Sequence, residues 1–227
     1  EVVGPFETGP TGVSAFGKYH ADTIILDIGA LHENPLVTLN RLLQIDPHAK
    51  IIMASTLTFS NVRKSMTGFE RGAADFIQMP GGHTRKTDKG AFRADLLRLI
   101  GAMADARRND TPRQIAGKPT AKTAEPRKSI TLRDVSPHRP SVLAVGSSTG
   151  GPEALNVMID DLPDDFPLPI LITQHMPKLF TALLADTISK RTGKIAVEAA
   201  EGMTVEPGKI YIAPGDHHMT ITGTPTR

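Results

Sequence analysis

One stretch of the sequence, Val142 to Gly151, limits the folds open to this chain more than any other. An apolar, β-branched run is followed at once by Gly-Ser-Ser-Thr-Gly-Gly, which is typical of a buried strand that turns sharply into a helix. Such a turn places a serine hydroxyl at the carboxyl edge of the sheet, beside the free N–H groups of the helix start. The stretch therefore predicts an α/β sheet with a polar group at its rim.

A second strand of the same kind ends in a histidine. The apolar run from Pro169 to Thr173 leads directly into Gln174-His175-Met176-Pro177. Parallel strands bring the groups at their carboxyl ends to one rim, where open α/β sheets bind ligands. A serine and a histidine that meet there favour acyl transfer, with the histidine as the base. Two simpler interpretations stay open here, a helix cap for the serine and a structural hydrogen bond for the histidine.

Three segments carry a family resemblance. VGSSTGGPEAL, ILITQHMP and IYIAPGDHHM, in this order, resemble the catalytic domain of the chemotaxis response-regulator methylesterases, the CheB family. The resemblance implies that Ser148 is the nucleophile and His175 the catalytic base. Backbone N–H groups at the helix start are candidates for stabilising the oxyanion, because their dipoles are already oriented. They belong to Thr149, Gly150 and Gly151.

The resemblance also implies a third catalytic residue, an aspartate in a Gly-Met-Gly-x-Asp-Gly motif that this sequence does not contain. We expect that aspartate beyond Arg227, in a longer natural chain, because a triad without its acid loses orders of magnitude in rate. His218 matches the family's Pro-Gly-Asp-x-His-Met motif and is expected at the substrate rim. No metal site is expected beside it, because the neighbouring His217 would point to the opposite face of a strand.

The sequence divides into three parts. Residues 1–106 alternate apolar runs with helical patterns, which predicts a parallel sheet, and they resemble the family's receiver domain, a flavodoxin-like fold. Residues 107–140 are rich in proline and basic side chains and predict a solvated linker. Residues 141–227 are interpreted as the N-terminal part of a doubly wound methylesterase domain. The strands expected in the first part are Glu1–Val3, Thr23–Ile28, Lys50–Ala54 and Asp75–Ile77, with helices near 35–46, 58–72 and 92–106.

The receiver resemblance implies a second site. Asp27 takes the position of the phosphoacceptor, and Ser55 that of the hydroxyl residue that senses the phosphoryl group. Met79 stands where the family has a lysine, and the family's acidic pair on the first strand is not visible. Because little neutralises the transferred charge, we expect weak phosphorylation. Mg²⁺ is expected only if that reaction persists, and the esterase is expected to need no cofactor.

Composition excludes several other functions. Lysine and arginine total 26 against 24 acidic residues, and tryptophan is absent, so no nucleic-acid partner is expected. With no cysteine and no apolar run long enough for a span, we expect a cytoplasmic protein without membrane insertion.

The family resemblance implies a substrate and two partners. It implies hydrolysis of γ-glutamyl methyl esters, and deamidation of glutamines, on methylated chemoreceptors, with a chemotaxis histidine kinase as phosphodonor. Two alternatives stay open. The chain is otherwise a non-catalytic receiver-like regulatory module, or a serine hydrolase of the same fold that acts on another ester, since fold alone does not fix the substrate.

Overall fold

The computed structural model describes residues 1–29, 34–80, 89–110 and 139–223. Two parallel sheets organise these residues, one in each half of the chain. We call residues 1–110 the N-terminal half and residues 139–223 the C-terminal half. The predicted class, α/β with parallel sheets, is confirmed. None of the helices in these ranges combines the length and the apolar character that a membrane crossing requires.

The N-terminal half is a three-stranded sheet with helices around it. Its parallel strands, hydrogen-bonded in this order, are β1 (Thr23–Asp27), β2 (Lys50–Ser55) and β3 (Asp75–Gln78). Its helices are α1 (Gly9–Tyr19), α2 (Pro35–Ile45), α3 (Phe59–Glu70) and α4 (Lys89–Asp110). The first three begin after a capping side chain that accepts a hydrogen bond from the first turn, supplied by Thr8, Asn34 and Thr58. The middle strand is almost wholly buried, which explains its unbroken apolar run.

The C-terminal half contains the strand–turn–helix units predicted from the sequence. Its strands are β4 (Leu143–Ser147), β5 (Ile170–Gln174), β6 (Ala196–Glu198) and β7 (Ile210–Ile212), and they pair in parallel in the order β4-β5-β7-β6. Helix α5 (Gly151–Asp160) follows β4 and helix α6 (Lys178–Thr192) follows β5. Tight turns join these pairs, so the residues after β4 and β5 lie at one edge of the sheet.

The two halves pack against each other through α3 and α6. Buried apolar side chains of both halves form one continuous cluster. Phe180, from α6, belongs to this cluster and Phe76, from β3, packs against it, with their ring centroids 4.8 Å apart. Burial of this apolar surface holds the N-terminal half against the C-terminal rim.

Three features of the N-terminal half differ from the prediction. The expected strand Glu1–Val3 is wrong, because these residues are exposed and pair with no strand among the described residues. Helix α1 was not predicted, since three glycines interrupt its apolar pattern. Helix α4 continues to Asp110, into the predicted linker, and the rest of that linker, 111–138, lies outside the described residues. The bounds of the three predicted parts stay a prediction.

Candidate functional site

Ser148 and His175 meet at the carboxyl edge of the C-terminal sheet. The register pairs Ser147 with Gln174, so the residue after each strand faces the residue after the other. The backbone N–H of His175 donates to the carbonyl of Ser147 over 2.9 Å and extends this pairing past the strand ends. The Oγ of Ser148 lies 3.4 Å from Nδ1 of His175, and both residues are exposed. The structure therefore brings the predicted nucleophile and base together, at a distance typical of a site without substrate.

The imidazole of His175 has one side-chain hydrogen-bond partner among the described residues, the hydroxyl of Ser148. With Nδ1 directed at that hydroxyl, Nε2 is the nitrogen left for an orienting acid. No carboxylate in the described ranges lies within hydrogen-bond distance of it. The predicted aspartate beyond Arg227 stays a prediction.

The helix start supplies fewer free donors than expected. Gly150, the N-cap of α5, has φ 73°, a left-handed conformation that favours glycine. The N–H of Gly151 donates to the carbonyl of Ser148 over 2.8 Å, so this candidate is occupied in the present turn, and its role at the oxyanion stays a prediction. The N–H of Thr149 has no partner among the described residues. That of Gly150 is occupied by a carboxylate from the other half of the chain.

This carboxylate belongs to Asp75, the first residue of β3. Its Oδ2 accepts the N–H of Gly150 over 3.2 Å, and its Oδ1 accepts the N–H of Phe76 over 2.8 Å. Burial raises the pKa of the Asp75 carboxyl above its usual value. The two N–H groups and the charges of Arg98 and His175 lower that pKa in part. Sequence reasoning placed Asp75 on a strand and missed this role, because a contact across 75 residues leaves no local signal.

Little space remains where the two halves meet at the rim. A cavity of about 30 Å³ lies between them. Its lining includes Asp75, Phe76, His175, Met176 and Phe180. A volume of this size holds about one or two water molecules. A glutamyl ester side chain does not fit there while the halves keep this arrangement.

Gln174 is the second residue that sequence reasoning missed. It ends β5, is only 5% exposed, and accepts the hydroxyl of Ser147 over 2.5 Å. Its Nε2 donates to the carbonyls of Ser148 and His175 over 3.0 and 3.2 Å. The signal available in the sequence was a polar amide directly before the histidine, on the face of the strand that alternation assigns to the interior.

The loop that follows β7 forms another part of the rim. Thr181 of α6 is fully buried, and its hydroxyl accepts the N–H of Gly215 over 3.2 Å while donating to Glu198. His217 turns back to the carbonyl of Gly215 over 2.9 Å, and His218 is exposed. The substrate role of His218 stays a prediction. No cluster of three or more His, Asp or Glu side chains suited to a metal ion occurs within the described ranges.

The predicted phosphoacceptor rim is assembled only in part. A Cβ at Gly29 would lie 3.3 Å from Oδ1 of Asp27 and 3.9 Å from Cβ of Ser55, so those two residues are neighbours. Asp27 accepts the N–H of Gly29 over 2.8 Å, and the Ser55 hydroxyl donates to the carbonyl of Thr56 over 3.1 Å. Met79 packs into an apolar cluster under β2.

The described residues at this rim do not form a complete set of ligands for Mg²⁺. Mg²⁺ requires near-octahedral oxygen coordination, and Asp27 is not joined by other acidic side chains into a ligand group within the described ranges. The expectation of Mg²⁺ stays a prediction.

Comparison with known proteins finds relatives of this sequence. Residues 143–227 match the family model described as CheB methylesterase. The whole chain is 36% identical to the protein-glutamate methylesterase/protein-glutamine glutaminase of group 2 operon from Rhodospirillum centenum, of which it spans 63%. It is 38% identical, over 97% of its length, to the protein-glutamate methylesterase/protein-glutamine glutaminase of Azospirillum brasilense, of which it spans 59%. The chain therefore spans less than two thirds of these curated relatives.

A solved structure is also similar to part of the chain. The crystal structure of the Thermotoga maritima CheB methylesterase catalytic domain is 41% identical over 38% of this chain and 46% of that chain, with a TM-score of 0.36.

Proposed function

We propose, from the match of residues 143–227 to the CheB methylesterase family model, that this chain hydrolyses γ-glutamyl methyl esters on chemoreceptors, and deamidates receptor glutamines, in the cytoplasm. The observation that carries the proposal is the pair of Ser148 Oγ and His175 Nδ1, 3.4 Å apart at an exposed rim. A serine hydroxyl needs such a base to become a nucleophile. The similarity to the relatives does not by itself show that these two side chains meet; the structure does.

The proposed reaction has two steps. His175 takes the proton of the Ser148 hydroxyl while Oγ bonds to the ester carbonyl carbon. The tetrahedral oxyanion is stabilised by the N–H of Thr149 and, once Asp75 has left, by that of Gly150. The C–O bond to the methoxy group then breaks, and His175 returns the proton so that methanol leaves. Water, activated by the same imidazole, hydrolyses the acyl-enzyme to glutamate; a glutamine substrate releases ammonia instead.

We propose further that the N-terminal half restrains this site at rest: Ser148 and His175 stay exposed, but Asp75 occupies a proposed oxyanion donor, and we call this arrangement closed. Two observations support this restraint: Asp75 occupies the N–H of Gly150, and the cavity between Asp75 and His175 is only about 30 Å³. Phosphoryl transfer from a chemotaxis histidine kinase to Asp27 is the proposed opening signal. With Met79 in the position of the family's lysine, we expect that signal to be weak.

Release of methanol from a methyl-labelled chemoreceptor tests the function. The intact natural protein is expected to release labelled methanol, and Ser148→Ala is expected to release none. Receptor binding without methanol release would instead support the regulatory module. Hydrolysis of small esters with no release from the receptor would support a hydrolase for another substrate.

A further inference from the structure

The buried amide of Gln174 joins the two turns that carry the reacting groups. Its oxygen accepts, over 2.5 Å, the hydroxyl of Ser147, which is the residue directly before the proposed nucleophile. Its nitrogen donates to the carbonyl of Ser148 and to the carbonyl of His175. One side chain thus holds the backbone of both members of the dyad.

The chemistry of these contacts requires an amide. Three partners surround the group: one hydroxyl donor and two carbonyl acceptors. Glutamate would offer acceptors only and would set a carboxylate against the carbonyls of Ser148 and His175. Methionine fills a similar volume but makes none of the three hydrogen bonds, which leaves buried polar groups unpaired.

The helix start fits closely over this amide. A Cβ at Gly151 would lie 2.8 Å from Cδ of Gln174, and closer still to its oxygen. The first residue of α5 therefore has to be glycine for the amide to keep its place. The carbonyl of Ser148 receives the N–H of Gly151 as well as the amide of Gln174, which fixes the turn from two sides.

We infer that Gln174 is a positioning residue for the reaction, and that Ser147 anchors it. This inference rests on the proposed function of Ser148 and His175. Gln174 acts through the backbone of both residues and sets the separation of Oγ and Nδ1, while its own side chain touches no substrate. Displacing a catalytic pair by about 1 Å can cost about a hundredfold in rate, so loss of this brace should slow the chemistry more than it weakens binding.

The first test compares Gln174→Met with the wild-type protein. The measured quantity is the rate at which a small fluorophosphonate labels Ser148 in the intact natural protein, since this reaction needs the activated serine but no receptor. We expect labelling to slow about tenfold or more, and kcat for receptor ester to fall with KM nearly unchanged. Gln78→Met is the matched control, because Gln78 also ends a parallel strand but lies in the other sheet; its labelling rate should stay at the wild-type value.

A second pair of variants removes less of the structure. Ser147→Ala deletes the anchor of the Gln174 oxygen, and Ser147→Thr keeps a hydroxyl on a strand residue. Ser147→Ala should slow labelling several-fold, about threefold to tenfold, and Ser147→Thr should restore most of the rate. Ser147→Ala and Gln174→Met break the same contact. The double variant that combines them should therefore be little slower than Gln174→Met alone.

The outcomes distinguish failure of the proposed function from failure of the positioning role. If Ser148→Ala is labelled as fast as the wild-type protein, the proposed function is overturned, and this inference with it. Wild-type labelling that depends on Ser148, but is equally fast in Gln174→Met and in Ser147→Ala, would overturn the positioning role alone. If Gln174→Met does not fold, the Ser147 pair still decides, because equal rates for alanine and threonine contradict the brace.

Discussion

Both halves of the molecule contain a parallel sheet with polar residues at its carboxyl edge, but those residues are connected differently in the two halves. In the C-terminal half the ends of β4 and β5 carry a connected set of polar groups, in which Ser148, His175 and Gln174 hydrogen-bond to one another or to each other's backbone. In the N-terminal half the corresponding rim has Asp27 beside Ser55, yet within the described ranges the side chain of each bonds only to nearby backbone.

This difference shows that the carboxyl edge of a parallel sheet can bring polar groups together but does not by itself create a reactive site. Reaction requires that opposite roles, such as acid and base or charge and counter-charge, converge there. The N-terminal rim has Met79, packed among apolar side chains, where a cation would be needed. Its sheet instead sends a carboxylate, Asp75, into the rim of the other half.

The largest effect should come from comparing one serine at each rim. Ser148→Ala removes the proposed nucleophile and should lower methanol release to background, a loss of about a millionfold in comparable triads. Ser55→Ala removes a buried hydroxyl from the other rim and should change basal esterase activity less than about twofold, since it contacts no reacting group. Similar losses in both variants would show that the rims do not differ as described.

A smaller effect is expected when the contact between the halves is cut. Asp75→Ala frees the N–H of Gly150 and removes a negative charge from the site of the oxyanion. Basal activity, measured without phosphodonor, should rise several-fold, about threefold to tenfold. Glu70→Ala, which removes the same charge from an exposed position of α3, is the matched control and should leave the activity unchanged. Equal activity in both variants and the wild type would mean that Asp75 does not close the site.

The same contact should respond to pH. Burial raises the pKa of the Asp75 carboxyl in the closed arrangement, so between 3.8 and that raised pKa the closed form binds more protons than the open form. Closure is therefore favoured as pH falls through this window and is weakened above it. Asp75→Asn has no such proton. The activity of wild type relative to Asp75→Asn should fall with decreasing pH. A constant ratio would contradict the linkage.

The smallest effect should be the response of the N-terminal rim to a phosphodonor. Acetyl phosphate with Mg²⁺ should label Asp27 poorly and raise esterase activity little, because Met79 supplies no cation. Met79→Lys should improve labelling only if acidic residues upstream of Glu1 complete the site. Asp27→Asn is the control that identifies the labelled residue. Strong labelling of the wild type with a large rise in activity would remove the distinction between the rims.

The parts predicted from the sequence are those with local causes. The turn after β4 was predicted because Gly150 and Gly151 permit a backbone shape that other residues resist, and β5 because its apolar run ends at a polar motif. The strand Glu1–Val3 was predicted on composition alone and is wrong, since its run of apolar residues found no partner strand in the described structure. Local pattern therefore predicted elements and their turns.

The parts that were missed depend on distant contacts. That Asp75 reaches Gly150 follows from how α3 packs on α6, and no spacing within either segment encodes that packing. Gln174 was visible as a polar residue in a motif, but its function depends on three partners that only the folded rim brings together. Side-chain direction and the docking of two sheets are tertiary properties.

The hydrogen bond between Asp75 and Gly150 couples ligand binding at the rim to the position of the N-terminal half in both directions. A carboxylate from one half and the oxyanion of a substrate compete for a single N–H, and competition of this kind is reciprocal in free energy. If closure lowers the affinity for a ligand by some factor, the bound ligand shifts the equilibrium toward the open form by the same factor. An inhibitor whose oxygen occupies that N–H would thus act at a distance, as an effector of the N-terminal half. The rim that responds to the N-terminal half would therefore also influence that half.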